Sequence, residues 1–309
     1  MRDSTPENQL EEGNEGISAE VASGSGRVVT VGTFDGVHTG HCEVLGALKE
    51  FADERGLIPT VVTFDRHPLE TVAPDRAPRR LQTNEERDAL LRARGVDVIE
   101  VKFTSEVRSL TAEQLMLRLR DMYGARGLLS GYDNRFGCDG RSLTPADYAA
   151  IGKRIGLEVR EAGELPGVSS TAVRRAIEGG NMEEAAALLG RPYSVTGIVE
   201  TGRQIGRTIG FPTANLRITD RIQLPPAGVY AVIAKGHPAV LNIGYNPTVT
   251  DRQELRIEAH ILDWEGNIYG DPLTLEFVKR LRSEKKFADL NALRSAIDED
   301  VARTRALLS

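Results

Sequence analysis

Over the first half of the chain, short apolar and β-branched runs alternate with stretches whose apolar residues recur at helical spacing. The apolar runs lie at Val28–Val31, Pro59–Phe64, Val96–Phe103, Gly127–Ser130 and Leu157–Arg160. The helical stretches lie near 40–54, 85–94, 111–123 and 145–156. This alternation predicts an α/β, Rossmann-like domain, in which helices cover both faces of a parallel sheet. Open sheets of this kind bind ligands at the carboxyl ends of their strands.

From residue 193 the pattern changes to short strands separated by turns. These strands are predicted at Tyr193–Glu200, Thr213–Ile218, Gly228–Lys235, Ala239–Ile243, Arg256–Asp263 and Leu273–Val278. Six such strands favour a small antiparallel β-barrel. A last stretch, 287–308, places Leu290, Leu293, Ile297 and Val301 at helical spacing and predicts a C-terminal helix on the barrel. The boundary is expected near 186–192, which gives domains of 27–190 and 191–309.

Composition and charge narrow the class of protein. The 309 residues are 40% hydrophobic and 27% charged, and the formal net charge is -6. Most of that charge lies in residues 1–26, an acidic segment with few large apolar side chains that we expect to be disordered. We expect no nucleic-acid or membrane partner, because the chain is not basic and has no apolar run of about 18 residues. Cys42 and Cys138 form no Cys-x-x-Cys pair, which favours reduced thiols in a cytoplasmic protein.

The first predicted strand runs directly into Gly-Thr-Phe-Asp-Gly-Val-His-Thr-Gly-His, residues 32–41. A helix that begins near Gly40 would present unpaired N–H groups and a partial positive charge to an anion. His38 and His41 add two more donors at the same place. The segment therefore predicts a phosphate site, although two ordinary surface histidines would be the simpler interpretation.

A second anion-binding candidate lies at 168–174, where a Ser/Thr cluster precedes an apolar, helical run. Such a cluster is typical of a helix N-cap, and capping alone would explain it. Ser170, Thr171 and Arg174 would also face a phosphate at the same helix end.

In the second domain, a glycine- and arginine-bearing loop at 202–210 leads into Phe-Pro-Thr-Ala-Asn. Thr213 and Asn215 are two residues apart, so on a strand they face the same side and could share a hard cation such as Mg²⁺. A turn at the sheet edge would be the simpler interpretation.

Glu258 alternates with Ile257 and Ala259, and near that cation it would suit a general base. It could equally be an exposed strand residue. We expect His260 to be structural and Leu262 to share the face of Glu258.

The histidine motif and the Ser-Ser-Thr-x-x-Arg segment resemble those of the nucleotidyltransferase superfamily. Taken in order, the motifs over about residues 27–300 resemble the bacterial bifunctional riboflavin kinase/FAD synthetase family. They are the two segments above, Thr63-Phe64-Asp65, Gly131-Tyr132-Asp133, Gly210–Asn215, Gly228-Val229-Tyr230, Asn242-Ile243-Gly244 and Tyr269-Gly270.

The resemblance implies two reactions: ATP and Mg²⁺ convert riboflavin to FMN on the barrel, and ATP adenylylates FMN to FAD on the sheet. Thr213 and Asn215 would hold Mg²⁺–ATP, Glu258 would deprotonate the ribityl hydroxyl, and His38 and His41 would act on the α-phosphate. The implied nucleotide-binding residues are Gly32, Phe34, Gly40, Ser170, Thr171, Arg174, Gly202, Gly206, Arg207, Gly210, Thr213 and Asn215. The implied flavin-binding residues are Asp65, Asn134 and Arg282, the last in a segment, 281–287, that would border the flavin of the kinase.

Two positions depart from the family pattern. Arg66 stands where proline is usual, and Asn134 stands where an aromatic residue is usual. Both lie in the adenylylating domain, so a kinase whose first domain is degenerate or regulatory is an alternative. A flavin- or nucleotide-sensing protein and a cytidylyltransferase are further alternatives, but the first needs no base and the second leaves the barrel unexplained. The oligomeric state is not predicted.

Overall fold

The computed structural model describes residues 26–131, 135–163, 165–201, 211–218, 221–246 and 254–308. The predicted acidic segment lies outside the described residues except for Gly26. Within the described ranges, no helix is both long and apolar enough to cross a membrane.

The first domain contains the predicted parallel sheet, with strand order β3-β2-β1-β4-β5. Its strands are β1 Arg27–Val31, β2 Ile58–Phe64, β3 Asp97–Val101, β4 Ala125–Ser130 and β5 Glu158–Glu161. All four strand pairs are parallel. The central strand β1 is buried along its whole length. The chain leaves β1 towards β2 on one side and returns as β4 on the other, which creates a topological switch point at the carboxyl end of β1.

Helices connect and flank these strands. They are α1 Thr39–Arg55, α2 Pro68–Val72, α3 Asn84–Arg92, α4 Ser105–Ser109, α5 Ala112–Tyr123, α6 Pro145–Ile155, α7 Ser170–Glu178 and α8 Met182–Leu189. The four long helical stretches predicted between the strands are confirmed. The periodicity did not predict α2 and α4, because five residues are too few to repeat an apolar face.

The second domain is a closed antiparallel barrel with strand order β10-β7-β6-β11-β8-β9. Its strands are β6 Tyr193–Glu200, β7 Ala214–Arg217, β8 Gly228–Ala234, β9 His237–Asn246, β10 Glu254–Ile261 and β11 Pro272–Arg282, and the C-terminal helix is α9 Leu290–Leu308. The predicted barrel and C-terminal helix are confirmed.

Two details of the second domain differ from the prediction. Strand β10 ends at Ile261, and Leu262 is buried rather than facing the side of Glu258, because the chain turns there and the Leu262 N–H donates to the Pro238 carbonyl. Leu290, predicted on the inner face of α9, is 63% exposed. The helix instead buries Asp300, whose carboxylate pairs with Arg282 on β11.

The core of the barrel does not stop at the predicted boundary. Its buried apolar cluster includes residues of the barrel strands, of α7 and α8, and Leu81 from the loop before α3. That loop also makes backbone contacts with the barrel: the Arg80 N–H donates to the Arg221 carbonyl, and the Gln223 N–H donates to the Arg80 carbonyl. The division into 27–190 and 191–309 stays a prediction: α7, α8 and Leu81 pack into the core of the barrel, whereas the two faces of the parallel sheet have apolar clusters of their own.

Two candidate active sites

The loop after β1 adopts an unusual backbone. Phe34 and Val37 have positive φ angles of 48° and 39°, and Gly36 has a φ of 86°. Gly36 also packs closely against a neighbouring segment, since a Cβ there would lie 2.6 Å from Cδ1 of Leu81. The loop is thus folded tightly so that its last residues begin α1 at the switch point of the sheet.

His38 and His41 lie together at the start of α1. His38 is the N-cap, and its Nδ1 accepts a hydrogen bond from the His41 N–H at 3.2 Å. The two rings stack with their centroids 3.6 Å apart. Burial, and to a smaller extent His38, lowers the pKa of His41 well below its usual value. Nδ1 of His41 is buried and has no hydrogen-bond partner among the described residues, which is unusual for a buried polar atom.

The amino-terminal end of α7 contacts the same loop. Ser169 caps this helix by accepting from the Ala172 N–H, and the Ser170 hydroxyl donates to the Asp35 carbonyl at 2.8 Å. Thr171 is exposed in the first turn. The Arg174 guanidinium donates to the Asp35 carboxylate and, through Nε, to the Arg79 carbonyl at 2.8 Å. The structure therefore brings the two predicted phosphate segments together.

A cleft rich in cationic side chains opens beside this loop. Arg66, His67, Arg80 and Arg174 line it, and Asp35 contributes a carboxylate. Burial, followed by the Arg174 charge, lowers the pKa of His67. The lowered pKa leaves His67 uncharged at pH 7, so the positive charge comes from the three arginines, each of which is paired with a carboxylate. Guanidinium groups are suitable partners for a phosphate or pyrophosphate group.

Asp65 and Arg66, the latter a departure from the family pattern, lie at the carboxyl end of β2. The Asp65 carboxylate accepts from the Phe103 N–H at 2.8 Å and from Arg66 at 3.0 Å. Arg66 is about half exposed and borders the cationic cleft. Asn134, the other departure, lies outside the described residues.

The second candidate site lies on the barrel, on the face away from its core. In the strand register, Glu258 of β10 is opposite Asn215 of β7 on one side and Asn242 of β9 on the other. Residues directly opposite each other share a face, so the three side chains form a row. Ile257 and Ala259 face the core. Arg256 pairs with Glu258 at 3.5 Å. His260 has the structural role that was expected, since its Nδ1 lies 2.8 Å from the Pro212 carbonyl oxygen.

Glu284 lies near this row and was not singled out from the sequence. A Cβ at Gly244 would lie 2.4 Å from Oε1 of Glu284 and 3.5 Å from Nδ2 of Asn242. Glu284 follows β11 and thus folds back over β9, close to Asn242. The sequence does contain a glycine two residues after Asn242. Local periodicity, however, gives no indication of which distant side chain occupies the space beside that glycine.

Other predicted residues have different surroundings. Arg282 forms a bidentate ion pair with Asp300 at 2.8–3.1 Å, and its guanidinium lies 5.6 Å from the centre of the Phe287 ring. Gly202, Gly206, Arg207 and Gly210 lie outside the described residues. Cys42 and Cys138 are free thiols, as expected.

The first site has the features of a nucleotidyl-transferring enzyme: a helix N-terminus, paired imidazoles and arginines at the switch point of a parallel sheet. The second has the oxygen donors and the carboxylate of a phosphotransferase. Comparison with known proteins agrees with this class. Residues 21–174 match the family model described as FAD synthetase, and residues 189–308 match the model described as riboflavin kinase.

Full-length relatives agree with the two family models. Proteins named bifunctional riboflavin kinase/FMN adenylyltransferase are similar to this chain: that of Pseudomonas fluorescens is 39% identical over 91% of the chain and 93% of its own length. That of Escherichia coli (strain K12) is 38% identical over 91% and 92%. That of Bacillus subtilis is 34% identical over 88% and 90%. The chain belongs to the bifunctional riboflavin kinase/FMN adenylyltransferase family.

The fold also has a solved counterpart. A crystal structure from Streptococcus pneumoniae, described as a macrolide-efflux protein, superimposes with a TM-score of 0.81 at 32% identity, and the match covers 91% of this chain and 94% of that one. The similarity shows that the fold is shared over nearly the whole of both chains.

Proposed function

We propose that the protein carries out the two ATP-dependent steps of flavin cofactor synthesis at two separate sites. Riboflavin is phosphorylated to FMN on the barrel, and FMN is adenylylated to FAD on the parallel sheet. The row of Asn215, Glu258 and Asn242 carries the kinase assignment, because it places a carboxylate between two amides on one partly buried strand face outside the core. The presence of both family matches favours this function over that of a kinase with a degenerate first domain.

At the kinase site, Glu258 accepts the proton of the ribityl 5′-hydroxyl as that oxygen attacks the γ-phosphorus of ATP, and ADP leaves. The hydroxyl of Thr213 and the amide oxygen of Asn215 are hard donors that suit Mg²⁺. Bound there, the ion would neutralise charge on the ATP phosphates. Arg256 lies beside Glu258 and helps to orient its carboxylate.

At the adenylylating site, a phosphate oxygen of FMN attacks the α-phosphorus of ATP and pyrophosphate leaves. The reaction needs little covalent chemistry from the protein, so stabilisation of the charge supplies most of the acceleration. His38, His41 and the N–H groups at the start of α1 are placed to stabilise the α-phosphate. Ser170, Thr171 and Arg174 at the start of α7 are placed to hold the leaving pyrophosphate. We assign Asp65, at the carboxyl end of β2, to the binding of FMN. We also propose that the protein acts in the cytoplasm.

Three substitutions test the two-site proposal. Glu258→Gln removes the base, so it should abolish FMN formation from riboflavin and leave conversion of FMN to FAD intact. Asn215→Ala should impair the kinase alone, by about 100-fold, because it removes a ligand of the Mg²⁺–ATP complex. His41→Ala should have the opposite selectivity.

The measurement is a chromatographic time course of the three flavins with ATP and Mg²⁺, started from riboflavin in one series and from FMN in the other. A folded variant that loses both activities through any one of these changes contradicts two separate sites. Accumulation of FMN alone by the unmodified protein contradicts the second activity.

A further inference from the structure

The arginine assigned to pyrophosphate is held by groups outside its own helix. Arg174 donates to the Asp35 carboxylate and to the Arg79 carbonyl. Both side chains of the pair are largely buried, with 12% of Arg174 and 13% of Asp35 exposed. Two directed bonds on one guanidinium fix its orientation before any nucleotide binds, because a planar donor fork tolerates few geometries.

Asp35 joins three segments at this point. One carboxylate oxygen accepts from the Leu81 N–H at 2.9 Å, and the other accepts from Arg174. Its backbone carbonyl accepts from the Ser170 hydroxyl. Asp35 therefore connects the phosphate-binding loop, the start of α7 and the segment 79–82.

The segment 79–82 is built into the barrel. Arg80 forms a parallel β-bridge with Ile222. In this bridge the Arg80 N–H donates to the Arg221 carbonyl, and the Arg80 carbonyl accepts from the Gln223 N–H. The Leu81 side chain is 2% exposed and lies in the apolar cluster of the barrel. The barrel in turn fixes residue 223, since the buried hydroxyl of Tyr193 on β6 donates to the Gln223 carbonyl.

The helix that carries Arg174 is attached to the same core. Val173, Ala176 and Ile177 of α7 are buried in the cluster that includes the barrel strands. The guanidinium and both of its protein partners are thus positioned relative to the kinase barrel.

We propose that Asp35 is a positioning residue of the adenylylating site, which aims Arg174 by fixing it to the barrel-bound segment 79–82. This inference rests on the proposed assignment of Arg174 to the ATP phosphates. It makes the kinase barrel part of the framework of the other active site, because the barrel fixes the positions of Arg79 and Leu81.

The first test is a double-mutant cycle in the full-length protein, made from Asp35→Asn, Arg174→Ala and the combination. Asparagine keeps an acceptor for the Leu81 N–H but removes the charge that pairs with Arg174. We expect Asp35→Asn to lower kcat/KM for ATP in FAD formation by about tenfold, and to have almost no further effect once Arg174 is alanine. The kinase reaction, assayed in the same samples, should keep its kcat and KM and shows that the variants are folded.

The outcomes distinguish the assignment of Arg174 from the positioning role of Asp35. If Arg174→Ala leaves FAD formation unchanged, the assignment of Arg174 itself is wrong. If Arg174→Ala is damaging but Asp35→Asn is not, or if the two effects multiply independently, Asp35 does not act through Arg174 and the inference fails alone.

The second test reaches the site from the barrel. Tyr193→Phe removes the hydroxyl that holds the Gln223 carbonyl, far along the chain from the phosphate groups. Tyr230→Phe is a matched control, because the hydroxyl of Tyr230 also donates to a carbonyl of the same loop, that of Pro226. We expect Tyr193→Phe to lower the ratio of FAD formation to FMN formation severalfold, and Tyr230→Phe to leave that ratio unchanged. Equal ratios in both variants overturn the role of the barrel.

Discussion

The stacked pair of His38 and His41 makes the first domain sensitive to acid at the scale of single residues. Burial first, and then His38, lowers the pKa of His41, so the folded protein keeps this ring neutral at pH 7. In the unfolded chain the ring titrates near its ordinary value of about 6.5. The folded state therefore binds fewer protons below that pH, and the stability that is present above pH of about 6.5 is lost as the pH falls.

We expect the free energy of unfolding to decrease between pH 7.5 and 5.5, and to decrease less steeply in His41→Gln, because glutamine has no proton to gain. The limiting difference is about 1.4 kcal/mol per pH unit for one proton. Urea unfolding at several pH values measures both slopes. An unchanged slope in the variant would show that His41 does not carry the acid sensitivity.

At the scale of elements, the segment after β11 packs closely against β9, because Gly244 has no side chain that would keep Glu284 away. An alanine Cβ would meet the end of the Glu284 side chain, which is exposed and can move, rather than backbone. We therefore expect Gly244→Ala to change stability by less than about 1 kcal/mol while it displaces the carboxylate near Asn242 and lowers kinase kcat severalfold. The matched variant Glu284→Gln should lower the same rate.

Gly46→Ala in α1 is the corresponding control, since nothing lies within 4 Å of a Cβ there. A helical glycine replaced without steric conflict should stabilise the protein by about 0.5–1 kcal/mol and leave the kinase unchanged. If Gly244→Ala kept full kinase activity, Glu284 would have no part in that site.

The same elements show which features of the structure could be predicted from the sequence alone. Strands and long helices followed from periodicity. The clusters at 32–41 and 168–174 were each predicted to begin a helix, and the family resemblance was what linked them. The pairing of Glu258 with Asn215 needed the strand register, which depends on contacts between distant segments. The crossing of residues 79–82 to the barrel was not predicted, because Leu81 is a single apolar residue in a loop and has no repeating pattern around it.

At the scale of the whole molecule, part of the first domain packs into the apolar core of the barrel, and polar contacts also join the two domains, while the parallel sheet has two apolar clusters of its own. Leu81, α7 and α8 lie in the cluster of the barrel. Arg191, at the junction, donates to the Gly36 carbonyl at 2.8 Å and to Gln82 at 3.0 Å, and the Thr196 hydroxyl on β6 lies 2.7 Å from Glu86. Domains joined by small polar interfaces unfold separately, whereas a continuous core couples them.

We expect urea to unfold both domains in one transition. Trp264, the one tryptophan in the sequence, packs against the barrel core and reports on that domain by its fluorescence. Far-UV circular dichroism near 222 nm reports mainly on the helices, of which α1 to α8 precede the barrel. The two midpoints should coincide in the unmodified protein.

Leu81→Ala removes a buried side chain between the domains, so it should lower the free energy of unfolding by about 2–5 kcal/mol and separate the midpoints. Separate midpoints before any substitution would mean that the shared core does not couple the domains, and would also weaken the case that the barrel holds Arg174 in place.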